Sequence, residues 1–516
     1  MGDTKPVCCG KPMSLSGRAD SSKKQRYWCS LCGTRTTRAQ APEDDTDPGY
    51  DAALAARNAA RAANRKRKVF VVTCAQNNTS PHKGFLKSLR AFCAHNDAQL
   101  LVVPSHYKNI SLFTASQEYR KEWAPELHEH IVDTEIPLGG NVVLRADIRI
   151  GMSSLNPLAG KEPINGTSWV LFGHPQFAMQ PVASPGGELP KRMYTTGAIT
   201  PANYSRTDIG ARAEFHHVTG ALLVDVFDGH AYIRQLNADK DGVFFDLDKR
   251  YSPRGVTSGH RAVALTTGDS HVKFHNSGVR AATFGASDSI CRVLRPSHII
   301  RHDVLDGYAG SHHHDHDDVL QFRKHHRGDN DYRAELEQVV QFLHDTTPKG
   351  ARNVIVSSNH HDHLYKWLSR VDPRRDPTNA LLIHELKAKQ YANALSGKTT
   401  DPLEIYLSEH LRVPYDYASS REPYMILDVD YSQHGHIGAN GSRGSARALA
   451  RSTRKMVIGH AHGARIDRGV YQVGTSADTM EYERGLGDHT HTHCVQYKSG
   501  KRTLIDILDG CWRGNV

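Results

Sequence analysis

The residues best suited to chemistry lie in the second half of the chain. Asp269, His271, Asp303, Asn359, His360, His434, His460 and His462 are of the types that bind divalent cations. AVALTTGDSH, PSHIIRHDVLD, NVIVSSNHHDH and KMVIGHAH share one pattern, an apolar strand with metal-type ligands at its C-terminal end. In open α/β sheets, sites form at those ends. The chain holds 33 histidines, concentrated in this half beside Asp, Asn or Gly, and such clusters suggest metal chemistry. Each residue alone has a plainer reading. Asp269 or Asp303 would be a cap or turn residue and Asn359 a turn residue. His271 or His434 would be a surface or satisfied core histidine. His460 and His462 alternate along a strand end and would simply be exposed.

Two neighbouring segments attract notice. Ser311-His312-His313-His314-Asp315-His316-Asp317-Asp318 reads as an outer support for the site, a substrate-facing loop or an adventitious metal binder. In HGHIGANGSRGSAR, Arg443 and the backbone N–H groups offer a phosphate cradle. The plainer reading is a flexible loop after a ligand.

A second constellation sits at the N-terminus, where Cys8-Cys9-Gly10 precedes Cys29-Ser30-Leu31-Cys32-Gly33. Cys8, Cys9, Cys29 and Cys32 offer four thiolates that can close a tetrahedral zinc shell, whose binding would fold a unit with so little core; the plainer reading is a unit without metal. The adjacent Cys8 and Cys9 depart from a plain CxxC half, and the arrangement is similar to desulforedoxin-like sites in reversed order. The other five of the nine cysteines are scattered, as in a reduced compartment.

Four segments must position these groups. Residues 1–40 read as a zinc ribbon. Residues 41–68 read as a linker and a basic Ala/Arg helix ending in Arg65-Lys66-Arg67-Lys68. Residues 69–250 read as an α/β domain of unassigned role, opening KVFVVTCAQ, HKGFLKSLRAFCAHND, QLLVVPS in β-α-β order. Residues 255–516 read as a second α/β unit that carries the ligands and closes in a hairpin across Ser499-Gly500. No dinucleotide or P-loop glycine motif occurs. No apolar run reaches the ~18–20 residues of a membrane span, so the expectation is a cytoplasmic protein without a membrane partner. The net charge of +10 over 516 residues favours a polyanion, nucleic acid first.

Residues 260–465 resemble the calcineurin-like metallophosphoesterases, whose blocks run DxH, GDxxD, GNH(D/E), a lone His and GHxH. Here Gly268-Asp269-Ser270-His271, His302-Asp303-Val304-Leu305-Asp306, Ser358-Asn359-His360-His361-Asp362, His434-Gly435-His436 and Gly459-His460-Ala461-His462 stand in that order. The resemblance implies a β-sandwich flanked by helices and two divalent ions bridged by Asp303. Asp269, His271 and His462 would complete one ion's shell, and Asn359, His434 and His460 the other's. His360 would face the phosphate or protonate the leaving oxygen without binding metal. His434 is preferred to His436 because family members often ligate through the first His of His-Gly-His. Mixed oxygen and nitrogen ligation suits Mn²⁺, with Zn²⁺ or Fe as alternatives. His302 replaces the usual Gly and His361 the usual acid, which bears on metal preference.

The layout is also similar, over most of residues 69–510, to phage-encoded DNA-transfer or host-DNA-degrading nucleases. The function expected is a metal-dependent DNase in a host bacterial cytoplasm, with RNA and a homo-oligomer left open. The alternatives are a small-molecule phosphatase or cyclic phosphodiesterase, and a non-catalytic DNA-binding protein with a relic site.

Overall fold

Branched residues at Val69, Val71, Val72 and Thr73 make the run KVFVVTCAQ a strand, Lys68–Gln76, in the computed structural model of the chain. The structure describes residues 67–107, 123–185, 188–478 and 485–513, and short strands between residues 7 and 37. The chain divides into two units, residues 1–63 and 64–516.

In the first unit, Val7–Cys8 pairs antiparallel with Lys11–Pro12, and Arg26–Trp28 lies between Ser14–Leu15 and Arg35–Thr37. The side chains of Cys8, Cys9, Cys29 and Cys32 lie outside the described residues. So does the Ala/Arg stretch to residue 66. Its end is corrected by the structure, since Arg67 and Lys68 do not belong to a basic helix. Lys68 opens the first strand, and Arg67 forms a two-pronged pair with the buried Asp225 at 2.7 and 2.8 Å. A guanidinium beside a buried carboxylate is held there by charge and geometry, so it does not serve as a free phosphate contact.

The second unit is mixed α/β, with several sheets and helices. Helix Lys83–Asn96 buries Phe85, Leu86, Leu89 and Phe92, the spacing of one helical face. His82 caps it by accepting the Phe85 N–H, and Asp97 ends it in the left-handed region. This returns the chain to Ala98–Ser105, parallel to Lys68–Gln76. The antiparallel hairpin Gly220–Phe227 and His230–Asn237 completes a four-stranded sheet.

A six-stranded sheet follows the order Tyr415–Ala418, Arg352–Val356, His298–Arg301, Ala264–Thr266, Thr492–Gln496, Arg502–Asp506. The first four strands are parallel and the last two form the hairpin over Gly500. A ten-stranded sheet combines distant parts of the chain. Ala178–Val182 pairs with Arg465–Asp467, so strands from before and after residue 255 lie in one sheet. One apolar cluster draws Val72, Leu101 and Val224 from the four-stranded sheet, Ile300 and Val354 from the six-stranded sheet, and Val457 from the ten-stranded sheet. Each fully buried aliphatic side chain contributes ~1.5–3 kcal/mol. The strands beneath the ligands are thus anchored whether or not a metal is bound. No helix of the described residues is long and apolar enough to cross a membrane.

Candidate metal centre

Each strand that leads into a ligand stops because the next residues turn polar and the backbone leaves the ladder. Ala264–Thr266, His298–Arg301 and Arg352–Val356 are parallel neighbours, and their C-terminal ends carry Asp269 with His271, Asp303, and Asn359 with His360. Val429–Asp430 and Lys455–Ile458 are parallel neighbours in the other large sheet, and lead to His434 and to His460 with His462. Backbone bonds hold these ends in register. Ser270 and His271 donate to the carbonyls of His302 and Asp303 at 2.9 and 2.7 Å, and Gly459 donates to His434 O at 2.8 Å.

The side chains converge. Asp269, His271, Asp303 and His462 offer ligand atoms all within 4.8 Å of one another, and all four are buried. His271 Nε2 lies 3.0 Å from His462 Nε2 and 3.7 Å from Asp303 Oδ2. On the other side, His434 Nε2 lies 3.1 Å from the same Asp303 oxygen. His460 donates its backbone N–H to Asp269 Oδ2 at 2.7 Å, and its ring stands 5.3 Å from that of His434. The His360 ring is 4.7 Å from the His271 ring. His434, not His436, is the member of the pair that meets Asp303. His436 is partly exposed and lies beyond, its ring tilted against that of His434 at 5.4 Å. Arg443 is exposed, on a loop tied back to His436 O through Gly444 N–H at 2.9 Å.

Two residues gain a place that the sequence pattern does not give them. Asp306 accepts from His271 Nδ1 at 2.9 Å and lies 3.5 Å from His360 Nδ1. A carboxylate on Nδ1 fixes the imidazole tautomer and leaves the Nε2 lone pair for a cation. Its signal is the second Asp of the His302–Asp306 block. His302 is fully buried, with its Nδ1 3.3 Å from His434 Nδ1, and groups with Asp269 and His434. It adds a buried imidazole beside Asp269 and His434.

Electrostatics set the residues apart. Burial, then the neighbouring Asp303 charge, pushes the Asp269 carboxyl well above its usual range. Burial also opposes ionisation of Asp303, but His434, His360 and His271 outweigh it and hold that carboxyl low. Two carboxylates this close in a dry pocket call for added positive charge. Burial lowers His271 and His302, and brings His460 to about 4, which keeps these rings in the neutral, ligating form. His360 runs the other way. Burial lowers it, yet the Asp303 and Asp306 charges win and raise it above the ordinary imidazole value. It is therefore suited to carry a proton.

The donor set fits a cation on a second ground. Asp269 Oδ1, Asp303 Oδ1, Asn359 Oδ1 and His302 Nε2 are buried without a hydrogen-bond partner among the described residues. An orphaned buried acceptor costs ~1–3 kcal/mol, more when charged. His271, Asp303, His460 and His462 also hold positive φ of 39°, 44°, 79° and 56°. That region costs a non-glycine residue roughly 1–2 kcal/mol, and such strain gathers where a ligand is held. Buried His and Asp groups of this kind can hold a metal ion.

No protein-family model and no solved structure matches the chain. Among characterised proteins, protein A1 of Escherichia phage T5 is 30% identical over 462 residues, spanning 86% of this chain and 83% of that protein. The chain belongs to the family of that phage protein.

Proposed function

We propose that the chain is a two-metal-dependent nuclease, hydrolysing phosphodiester bonds of DNA on a metallophosphoesterase-type sandwich. The observation that carries this reading is Asp303 Oδ2, set between His271 Nε2 at 3.7 Å and His434 Nε2 at 3.1 Å. A carboxylate placed between two sets of donors could serve two ions at once. Asp269, His271, His462 and Asp303 would hold one ion, and Asp303, His434, Asn359 and His460 the other. Mn²⁺ suits these donors, with Zn²⁺ or Fe as the alternatives. When bound, the pair supplies an activated water and offsets charge on the phosphate.

The chain's own residues do the rest. His360 Nδ1 donates to Asp306 O at 3.0 Å, which orients the ring and assigns proton transfer to Nε2. Its raised pKa keeps that proton available for the leaving oxygen. Asp306 holds His271 in the ligating tautomer. The net charge of +10 supports a polyanionic substrate.

Purified protein with Mn²⁺ is expected to cut plasmid DNA, and Asp303→Ala is not; equal inactivity of both on DNA and RNA would overturn the reading. Circular and end-blocked substrates separate endonuclease from exonuclease action. Turnover of chromogenic phosphate esters with weak, salt-insensitive DNA binding would instead favour a small-molecule phosphatase.

A further inference from the structure

A second group of imidazoles lies beside the centre but outside it. His312 and His313 belong to a single short turn, His312–His314, and His363 to helix His361–Arg370. Their ligand nitrogens all lie within 4.8 Å of one another. The rings stand 3.9, 5.2 and 5.7 Å apart, centre to centre. His312 Nδ1 and His363 Nδ1 are both buried and have no hydrogen-bond partner among the described residues.

The two elements are locked together. Arg370 donates to Gly310 O at 2.9 Å and pairs with Asp315 at 2.9 Å, so the turn is clamped at both ends to the helix that carries His363. Gly310 lies so close to Trp367 and Tyr332 that an added Cβ would meet them at 2.5 Å. The three rings are thus preorganised by contacts that do not involve them. The Asp315 carboxylate neutralises the nearest guanidinium. Burial lowers His312 and brings His363 to about 3, which leaves both as neutral donors.

We propose that His312, His313 and His363 form a further metal site, taking one Zn²⁺-class transition-metal ion through three imidazoles and a water. Neutral imidazoles without a carboxylate select such ions over Mg²⁺ or Ca²⁺. Small ring rotations bring nitrogens at the observed separation to the ~3.3 Å expected between ligands of a tetrahedral shell with metal–nitrogen bonds of ~2.0 Å. His313 is exposed, so the ion would exchange with solvent, and the open fourth position is what distinguishes such a site from a closed structural one. The His363 ring stands 5.0 Å from that of His360. The ion would therefore lie beside the phosphate-facing residue and not within the Asp303 pair.

The test uses the full chain stripped of metal and titrated with Co²⁺, read by metal analysis and visible absorption. His312→Gln with His313→Gln, two positions that are not buried, is expected to bind one equivalent fewer than wild type and to lose one component of the spectrum. His363→Gln is expected to match it. Identical stoichiometry and spectra in wild type and the double variant would overturn the proposal, as would an extra equivalent held no tighter than by free imidazole. The count involves no cleavage assay, so it stands or falls apart from the nuclease reading.

Discussion

The bridging role proposed for Asp303 is one that a single substitution separates from packing. Asparagine keeps its size but removes the charge that His434, His360 and His271 surround. Asp303→Asn is expected to lose both ions of the pair, weakening metal binding by more than the ~10–100-fold typical of outer partners. Metal analysis after gel filtration reads this directly, and two retained ions would refute the bridging role. Gly459 tests the site from the backbone side. A Cβ there would stand 2.0 Å from Asp269 Oδ1, so the carboxylate, whose other oxygen accepts the His460 N–H, has to move. Gly459→Ala is expected to push Asp269 out of place and lower metal affinity at least ~10-fold, measured by chelator competition. A variant with unchanged affinity would show that Asp269 does not need its present position. Asp269, His271, Asp303, His434 and His462, which the structure brings together, are legible in sequence because each follows a strand run and carries a ligating type. His302 and Asp306 are less so. The value of Asp306 lies in which nitrogen of His271 it faces, and a one-dimensional pattern does not encode that.

At the scale of elements, the loop after His298–Arg301 carries both Asp303 and Asp306, and a helix holds it from outside. Tyr332–Asp345 starts at Asp331, which caps the Ala334 N–H, and so brings Glu335 under the loop. The buried Glu335 carboxylate accepts the N–H groups of Gly307, Tyr308 and Ala309 at 2.8, 3.1 and 2.9 Å. Burial, then the Asp306 charge, raises its pKa to about 7. The folded chain then binds a proton that the unfolded chain releases near the ordinary carboxyl value. That contribution to stability is complete below ~4.5 and fades as pH climbs to about 7. Metal-free wild type is therefore expected to lose on the order of 1–3 kcal/mol across this window relative to Glu335→Gln, read from thermal melts at several pH values. Parallel slopes in the two proteins would refute it. The helix itself is legible from its apolar spacing. Its task is not, because three N–H groups some 27 residues upstream become its partners only in the folded chain.

At the scale of the whole molecule, the sequence invites a cut near residue 255, where a second run of strands with ligands begins. The folded chain binds the two sides together at several points. Ala178–Val182 supplies a pairing edge to Arg465–Asp467. Gln235 exchanges hydrogen bonds with Thr503 and Leu504 at 2.8 to 3.1 Å. Arg192, 1% exposed, pairs with Asp506 at 2.5 Å. Strand runs announce themselves by composition, but nothing local in Arg465–Asp467 names a partner almost 290 residues earlier, and this is why the ten-stranded sheet is illegible where its strands are not. Two outcomes follow for the same protein. Arg192→Leu leaves Asp506 buried and unpaired, and is expected to cost ~3–5 kcal/mol, since a broken buried pair loses its compensation without recovering hydration. A fragment of residues 255–516 loses that pair, the Gln235 bonds and one flank of the sheet at once, and exposes an unpaired edge that invites aggregation. It is expected to lack a cooperative melt and to bind no ion pair, although it contains every ligand proposed for the centre. Circular dichroism and metal analysis of the fragment decide the matter. A sharp transition with two bound ions would mean that the later strands form the site unaided, and that the earlier half of the sheet serves something other than support.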